Sequence, residues 1–191
     1  MAWIKSGSTT LASAGDDMDI TSMTASNFNQ LLWHKISSGS CVGQMTFNNN
    51  SNSVYARRRS INGGGELTDA SQAFIKTDIS DVDDSFIVWN VCSFSGNEKL
   101  IMSIQCNRGS AGAGNAPNRV ELVGKFVPSP DANITRIDIN NPNGGSFDTN
   151  SNLSVLGSDG VESMTVQDGA VYYETDTNKS YVLYDDSWSE L

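Results

Sequence analysis

His34 is the only histidine in the chain, and it sits mid-run in the apolar segment 29–36 (NQLLWHKI), beside Leu32 and Trp33. Nucleophilic catalysis by a serine or cysteine needs a base held against the nucleophile. One histidine inside an apolar run, with no nucleophile-elbow motif around any serine, supplies no such pair, so His34 reads as structural. The three cysteines, Cys41, Cys92 and Cys106, are odd in number and widely spaced. They form neither a disulfide framework nor the paired spacing of a zinc site. Cys92 and Cys106 lie in apolar runs and are expected as buried free thiols; a Cys92–Cys106 bridge across a hairpin is the alternative. Asp81, Asp83 and Asp84, and likewise Asp16, Asp17 and Asp19, alternate as calcium-chelating aspartates do. They lack the glycine and terminal glutamate of a calcium loop, and solvated turns are the better reading. The glycines of GSAGAG (109–114) are followed by no Lys-Ser/Thr and no helix, so they serve turns rather than phosphates. The expectation is a chain with no catalytic, cofactor or metal residue.

Function then has to reside in surfaces, and the elements decide which surfaces exist. Ser (27), Asn (19) and Gly (17) make up a third of the 191 residues, and these types favour turns and caps over helix interiors. Between them run apolar segments of strand length. Residues 2–20 read as short strands separated at Gly7 and Gly15, followed by strands in 29–36, 41–47 and 54–56. Residues 61–72, with three consecutive glycines, read as a flexible connection. Residues 85–94 (SFIVWNVCSF) are almost continuously apolar, as in a strand buried on both faces. Residues 98–106 alternate, with Leu100, Met102, Ile104 and Cys106 on one face, and pair with 85–94 as a hairpin. After the small-residue loop 107–118 come strands in 119–127, 133–139 and 153–156. One helical turn near 26–30 is the only helical candidate. Turn signals every 8–15 residues between such strands predict an all-β fold: a jelly-roll-like antiparallel β-sandwich over residues 1–157.

Residues 158–191 differ in texture. Two short aromatic strands, 170–175 and 180–184, joined by DTNK, predict a β-hairpin appendage too small to stand alone. Its Tyr172, Tyr173, Tyr181, Tyr184 and the following Trp188 must bury against the sandwich or against another chain. Trp33 and Trp89 lie in apolar runs and are expected in the core. Trp3 and Trp188, near the two ends, are expected as contact residues with the hairpin tyrosines, and loop 107–118 is a second contact candidate.

Charge narrows the partners. The net charge of −10 repels a phosphate backbone, so nucleic acid is excluded as a partner. The run Arg57-Arg58-Arg59 does not alter this, because neighbouring residues on a strand face opposite ways; rim charges or inter-chain ion pairs are expected of it. No segment is long and apolar enough to cross a membrane as a helix, and residues 1–10 show no secretion signal.

Several strings are specific beyond their chemistry. MAWIKSGSTTLASAGDDMDI, YARRRSINGG, GSAGAGNAPNRVELVGKF, ITRIDINNPNGG and SNLSVLGSDG resemble an uncharacterised family of small virion structural proteins of marine tailed bacteriophages. The ending GAVYYETDTNKSYVLYDDSWSEL is similar to hairpins at the ends of phage tail and fibre proteins. The resemblance implies an external virion component, a fibre or appendage subunit or a capsid decoration protein. It would fold in the host cytoplasm and work at the virion surface, as a homotrimer in contact with capsid or tail proteins. A carbohydrate-binding module for host surface glycans is the alternative reading.

Overall fold

The computed structural model describes residues 3–76, 83–159, 169–184 and 187–191. The chain divides into two compact units, Met1–Gly160 and Val161–Leu191. Among the described residues every regular element is a β-strand and every pairing is antiparallel.

The first unit is an unequal sandwich. Its larger layer is an eight-stranded sheet made of β1 (Ile4–Thr10), β3 (Phe28–Lys35), β6 (Tyr55–Ile61), β7 (Leu67–Gln72), β9 (Ser85–Cys92), β10 (Lys99–Asn107), β11 (Asn118–Phe126) and β14 (Asn152–Ser158), in the spatial order β1-β14-β3-β9-β10-β11-β6-β7. The smaller layer has four strands, β2 (Asp17–Ile20), β5 (Gln44–Phe47), β8 (Ile75–Lys76) and β12 (Ile137–Asn140), in the order β2-β12-β5-β8. A short pair, β4 (Ser37–Ser38) and β13 (Ser146–Phe147), closes one side.

The core lies between these layers. Leu31, Trp33, Ile87, Trp89, Val91, Ile101, Leu122, Phe126, Leu153 and Val155 come from the large sheet. They meet Met18, Ile20, Met45, Phe47, Ile75, Ile137 and Ile139 from the small one. Trp33 packs edge-on against Phe147 at 5.4 Å and donates its indole N–H to the Met18 sulfur at 3.3 Å. Tyr55 stacks on Phe126 at 4.9 Å. Its hydroxyl accepts the Phe47 N–H and donates to the Asn50 carbonyl, and burial pushes its pKa up to about 12. Trp33 and Trp89 are thus the core residues the sequence predicts.

Local chemistry explains several boundaries that the sequence misplaces. Gly7 does not end β1. The strand runs through it with a bulge between Lys5 and Gly7, and a Cβ there would lie 2.5 Å from Ile20 Cγ2, so the glycine lets β1 close over β2. Residues 61–72 are not a flexible connection. Asn62 and Gly63 both have positive φ, and the Gly64 N–H bonds the Ile61 carbonyl. An Asn-Gly turn of this kind suits a tight hairpin, and Leu67–Gln72 forms strand β7 against β6. Residues 26–30 are not helical, and β3 begins at Phe28.

The second unit is a three-stranded meander rather than a hairpin: β15 (Val171–Glu174), β16 (Lys179–Tyr184) and β17 (Ser187–Glu190). The alternation in Ser-Trp-Ser-Glu lets the end of the chain pair with β16, placing Trp188 opposite Leu183.

Two lysines and an arginine are buried in the sandwich. The Lys99 side chain is fully covered, with Nζ 2.6 Å from the Phe94 carbonyl and 2.8 Å from Asp131 Oδ1. Lys35 Nζ donates to the Cys41 carbonyl, and Arg57 bonds Asp69 at 2.7 Å and the Lys76 carbonyl. Asp131 also accepts the Gly96 N–H, and the Lys99 bond holds its carboxyl below the usual range. A depressed folded-state pKa adds stability above the unfolded value near 3.8 and loses it as pH falls through the folded one. In acid titrations followed by circular dichroism, wild type should therefore lose stability below about pH 4. Asp131→Asn should melt lower at pH 7, because Lys99 loses its counter-ion, and should show a shallower acid limb.

Candidate assembly surface

Strand β10 lies near the middle of the eight-stranded sheet, between β9 and β11. Its sequence, Lys-Leu-Ile-Met-Ser-Ile-Gln-Cys-Asn, alternates, but the direction of alternation is inverted. Lys99, Ile101, Ser103, Gln105 and Asn107 point into the sandwich and are buried, while Leu100, Met102, Ile104 and Cys106 point outward and are exposed. Met102 and Ile104 expose 61% and 62% of their surface, and Gln105 exposes 1%.

Cross-strand register extends this row into a patch. On one side Cys92, Asn90, Val88 and Phe86 of β9 lie opposite Leu100, Met102, Ile104 and Cys106. Beyond them stand Phe28, Gln30, Leu32 and His34 of β3. On the other side Val123 of β11 lies opposite Met102. The segment 85–94 is therefore not buried on both faces. Ile87, Trp89 and Val91 fill the core, while Phe86 is half exposed and Asn90 exposed. No part of the first unit's described chain forms a layer over that outer face.

The cysteine expectation is corrected on the same geometry. Cys92 is half-buried and Cys106 exposed, both on this outer face, and only Cys41 is buried. Cys92 pairs across from Leu100 and Cys106 from Phe86, six residues apart along the strand, about 20 Å, so no bridge joins them. His34 also projects from this face and is exposed.

The face is concave. One trough of about 840 Å³ runs over Phe28, Cys92, Leu100, Met102 and Val123, with Trp3 on its wall. A neighbouring hollow of about 460 Å³ continues over Val88, Ile104 and Glu121. Charged side chains rim one side as three ion pairs: Arg58–Glu66 at 2.7 Å, Lys125–Glu98 at 2.8 Å and Arg119–Glu121 at 3.5 Å. The arginine run splits by face as alternation requires. Arg57 turns inward to Asp69, and Arg58 stands on the rim. An apolar centre with a polar, ion-paired margin is the anatomy of a protein contact surface.

Trp3, the first of the expected contact residues, is exposed and borders this trough. The others lie in the second unit and divide between the faces of its meander. Tyr172, Tyr181 and Trp188 share one face, with Tyr172 opposite Tyr181 and its ring 6.1 Å from Trp188 in an edge-on arrangement. With Glu174 they line a hollow of about 390 Å³. Burial and the Glu174 carboxylate raise the Tyr181 pKa. Tyr173 and Tyr184 lie on the opposite face, both exposed; the Tyr173 hydroxyl donates to Asn178 Oδ1 at 2.8 Å. Loop residues 108–118 are mostly exposed. Of the aspartate clusters, Asp81 lies outside the described residues. Asp84 pairs with Arg108, and Asp17 and Asp19 lie on β2 opposite Asn140 and Asp138. Among the described residues no three His, Cys, Asp or Glu side chains group as a metal ion would need.

No family model, no curated protein and no solved structure matches this chain.

The polar side of β10 is only partly satisfied. Gln105 donates to Asn107 Oδ1, leaving Gln105 Oε1 and Asn107 Nδ2 buried without partners. Removing one member of such a pair strands the other, whereas replacing both by apolar groups of similar shape is close to neutral. Gln105→Leu alone should lower stability by about 1–3 kcal/mol. Urea unfolding should show Gln105→Leu/Asn107→Leu at or above wild type.

Proposed function

We propose that this protein is an external virion structural component of a tailed bacteriophage, a fibre or appendage subunit or a capsid decoration protein, that self-assembles, as a homotrimer, and acts by contact rather than by chemistry. The observation that carries the contact reading is the exposed apolar row Leu100–Met102–Ile104 at the centre of a concave sheet face with an ion-paired rim. Monomeric soluble proteins rarely leave such patches bare, and where they occur they mark interaction sites. The virion assignment rests on the sequence resemblance. A rigid β-sandwich suits the role, because it presents edges and faces for repeated subunit contacts.

A second reading, contact with a host surface glycan, has one observation in its favour. Tyr172, Tyr181 and Trp188 surround a hollow that also holds the Glu174 carboxylate. Aromatic faces and an acceptor are what a sugar ring needs. Oligosaccharides from the host envelope should then change the tryptophan fluorescence of the full chain and leave Trp188→Ala unchanged. An unaltered spectrum across such a panel removes this reading.

The principal test is location. Gold-labelled antibody against the chain should decorate intact tailed-phage particles purified from the lysate that contains it. Label confined to the soluble fraction, with bare particles, would contradict the virion assignment.

A further inference from the structure

The chain holds 22 aspartates and glutamates, yet β1, β3, β9, β10 and β14 contain none. These are five adjacent strands of the eight-stranded sheet. On the outer side of the remaining strands the charges cancel, since Arg58, Lys125 and Arg119 pair with Glu66, Glu98 and Glu121. A protein with net charge −10 therefore carries its excess negative charge away from its largest apolar face. Two such molecules repel through the rest of their surfaces, and on this face that repulsion is absent.

We infer that the outer face of the eight-stranded sheet, centred on Leu100, Met102, Ile104 and Cys106, is the surface on which a second copy of this chain seats. The inference rests on the assembly reading above and names its contact. Charge selects the occupant. A rim that carries both cations and carboxylates can pair with the rims of neighbouring copies around a threefold axis, where a uniformly charged partner would leave half of it opposed.

Size agrees. From β3 to β11 the face, with its apolar row on β10 and its charged margin on β11, spans four strands at about 4.8 Å and six residue steps at about 3.4 Å, about 400 Å² in projection. With the flanking strands and the relief of the side chains, the face approaches the about 800 Å² per partner of a stable interface. A sugar does not fit the same place. Among the outward groups around Met102, the Gln30 side-chain amide already donates to Asn90 Oδ1 at 3.1 Å, leaving few polar groups to read hydroxyls.

The test is sedimentation equilibrium on the full chain and two variants. Wild type should sediment as an oligomer. Ile104→Glu, which places a carboxylate mid-patch on an already exposed position, should be monomeric with an unchanged circular dichroism spectrum. Arg58→Glu/Lys125→Glu leaves the apolar patch intact but makes the rim acidic. It should weaken association at least tenfold, and it carries the test should Ile104→Glu fail to fold. A monomeric wild type overturns the inference. So does a wild-type oligomer that both variants leave unchanged; gold-labelled particles in that case would keep the virion reading and move the self-contact elsewhere.

Discussion

The register of β9, β10 and β11 decides which way the row Leu100–Cys106 points, and the character of the outer surface depends on it. A one-residue slip of a strand exchanges its two faces. In β10 that exchange would bury four apolar side chains and expose Ser103, Gln105 and Asn107, which on hydrophobicity alone is the better arrangement. The observed register is fixed from both ends. At the start of the strand Lys99 is held inside by Asp131 and the Phe94 carbonyl. At its end the Arg108 N–H bonds the Asp84 carbonyl, and the Arg108 guanidinium pairs with the Asp84 carboxylate. On either side Ile87, Trp89, Val91 and Leu122 fill the core, so the sandwich keeps its hydrophobic interior although β10 contributes mainly Ile101.

Such an arrangement has a cost inside the fold. Buried polar groups left without partners are unfavourable, and Gln105 Oε1 and Asn107 Nδ2 are two of them. A lone domain gains nothing in return from exposing Leu100, Met102 and Ile104. An assembled one does, because the same side chains become the core of a contact. Evenly paired rim charges on a strongly acidic chain point the same way: the face is suited to meeting its own kind. The aromatic meander of the second unit offers a distinct kind of surface, two-sided and tyrosine-rich, with Tyr172 and Trp188 on one side and Tyr173 and Tyr184 on the other.

Much of the fold was legible in the sequence. Apolar runs between turn residues gave the all-β sandwich, and the unbroken apolar stretches around Trp33 and Trp89 identified the core. The Leu100, Met102, Ile104, Cys106 periodicity was visible as one face, but periodicity says that a strand is two-sided and not which side is wet. That depends on Lys99 finding Asp131, 32 residues away, which no local pattern reveals. The apolar texture of 85–94 suggested burial on both faces for a sound reason. Such a strand does need cover on both sides, and the small sheet of the first unit supplies one. Asn62-Gly63 carried the signal for the β6–β7 turn and was masked by the two glycines that follow. The absence of acidic residues across five neighbouring strands is written in the sequence, but it becomes a surface property only once strand order brings those segments side by side.

Cys106 provides a native probe of the central claim, that this row faces outward and is covered by another copy. Its rate of reaction with a bulky thiol reagent would be compared in wild type, well above the concentration at which it associates, and in Ile104→Glu. The account predicts slow modification in wild type and fast modification in the variant, with Cys41 protected in both until unfolding. Fast modification in both would mean that nothing covers the face, and slow modification in both would mean that the row points into the sandwich; either result would contradict the account.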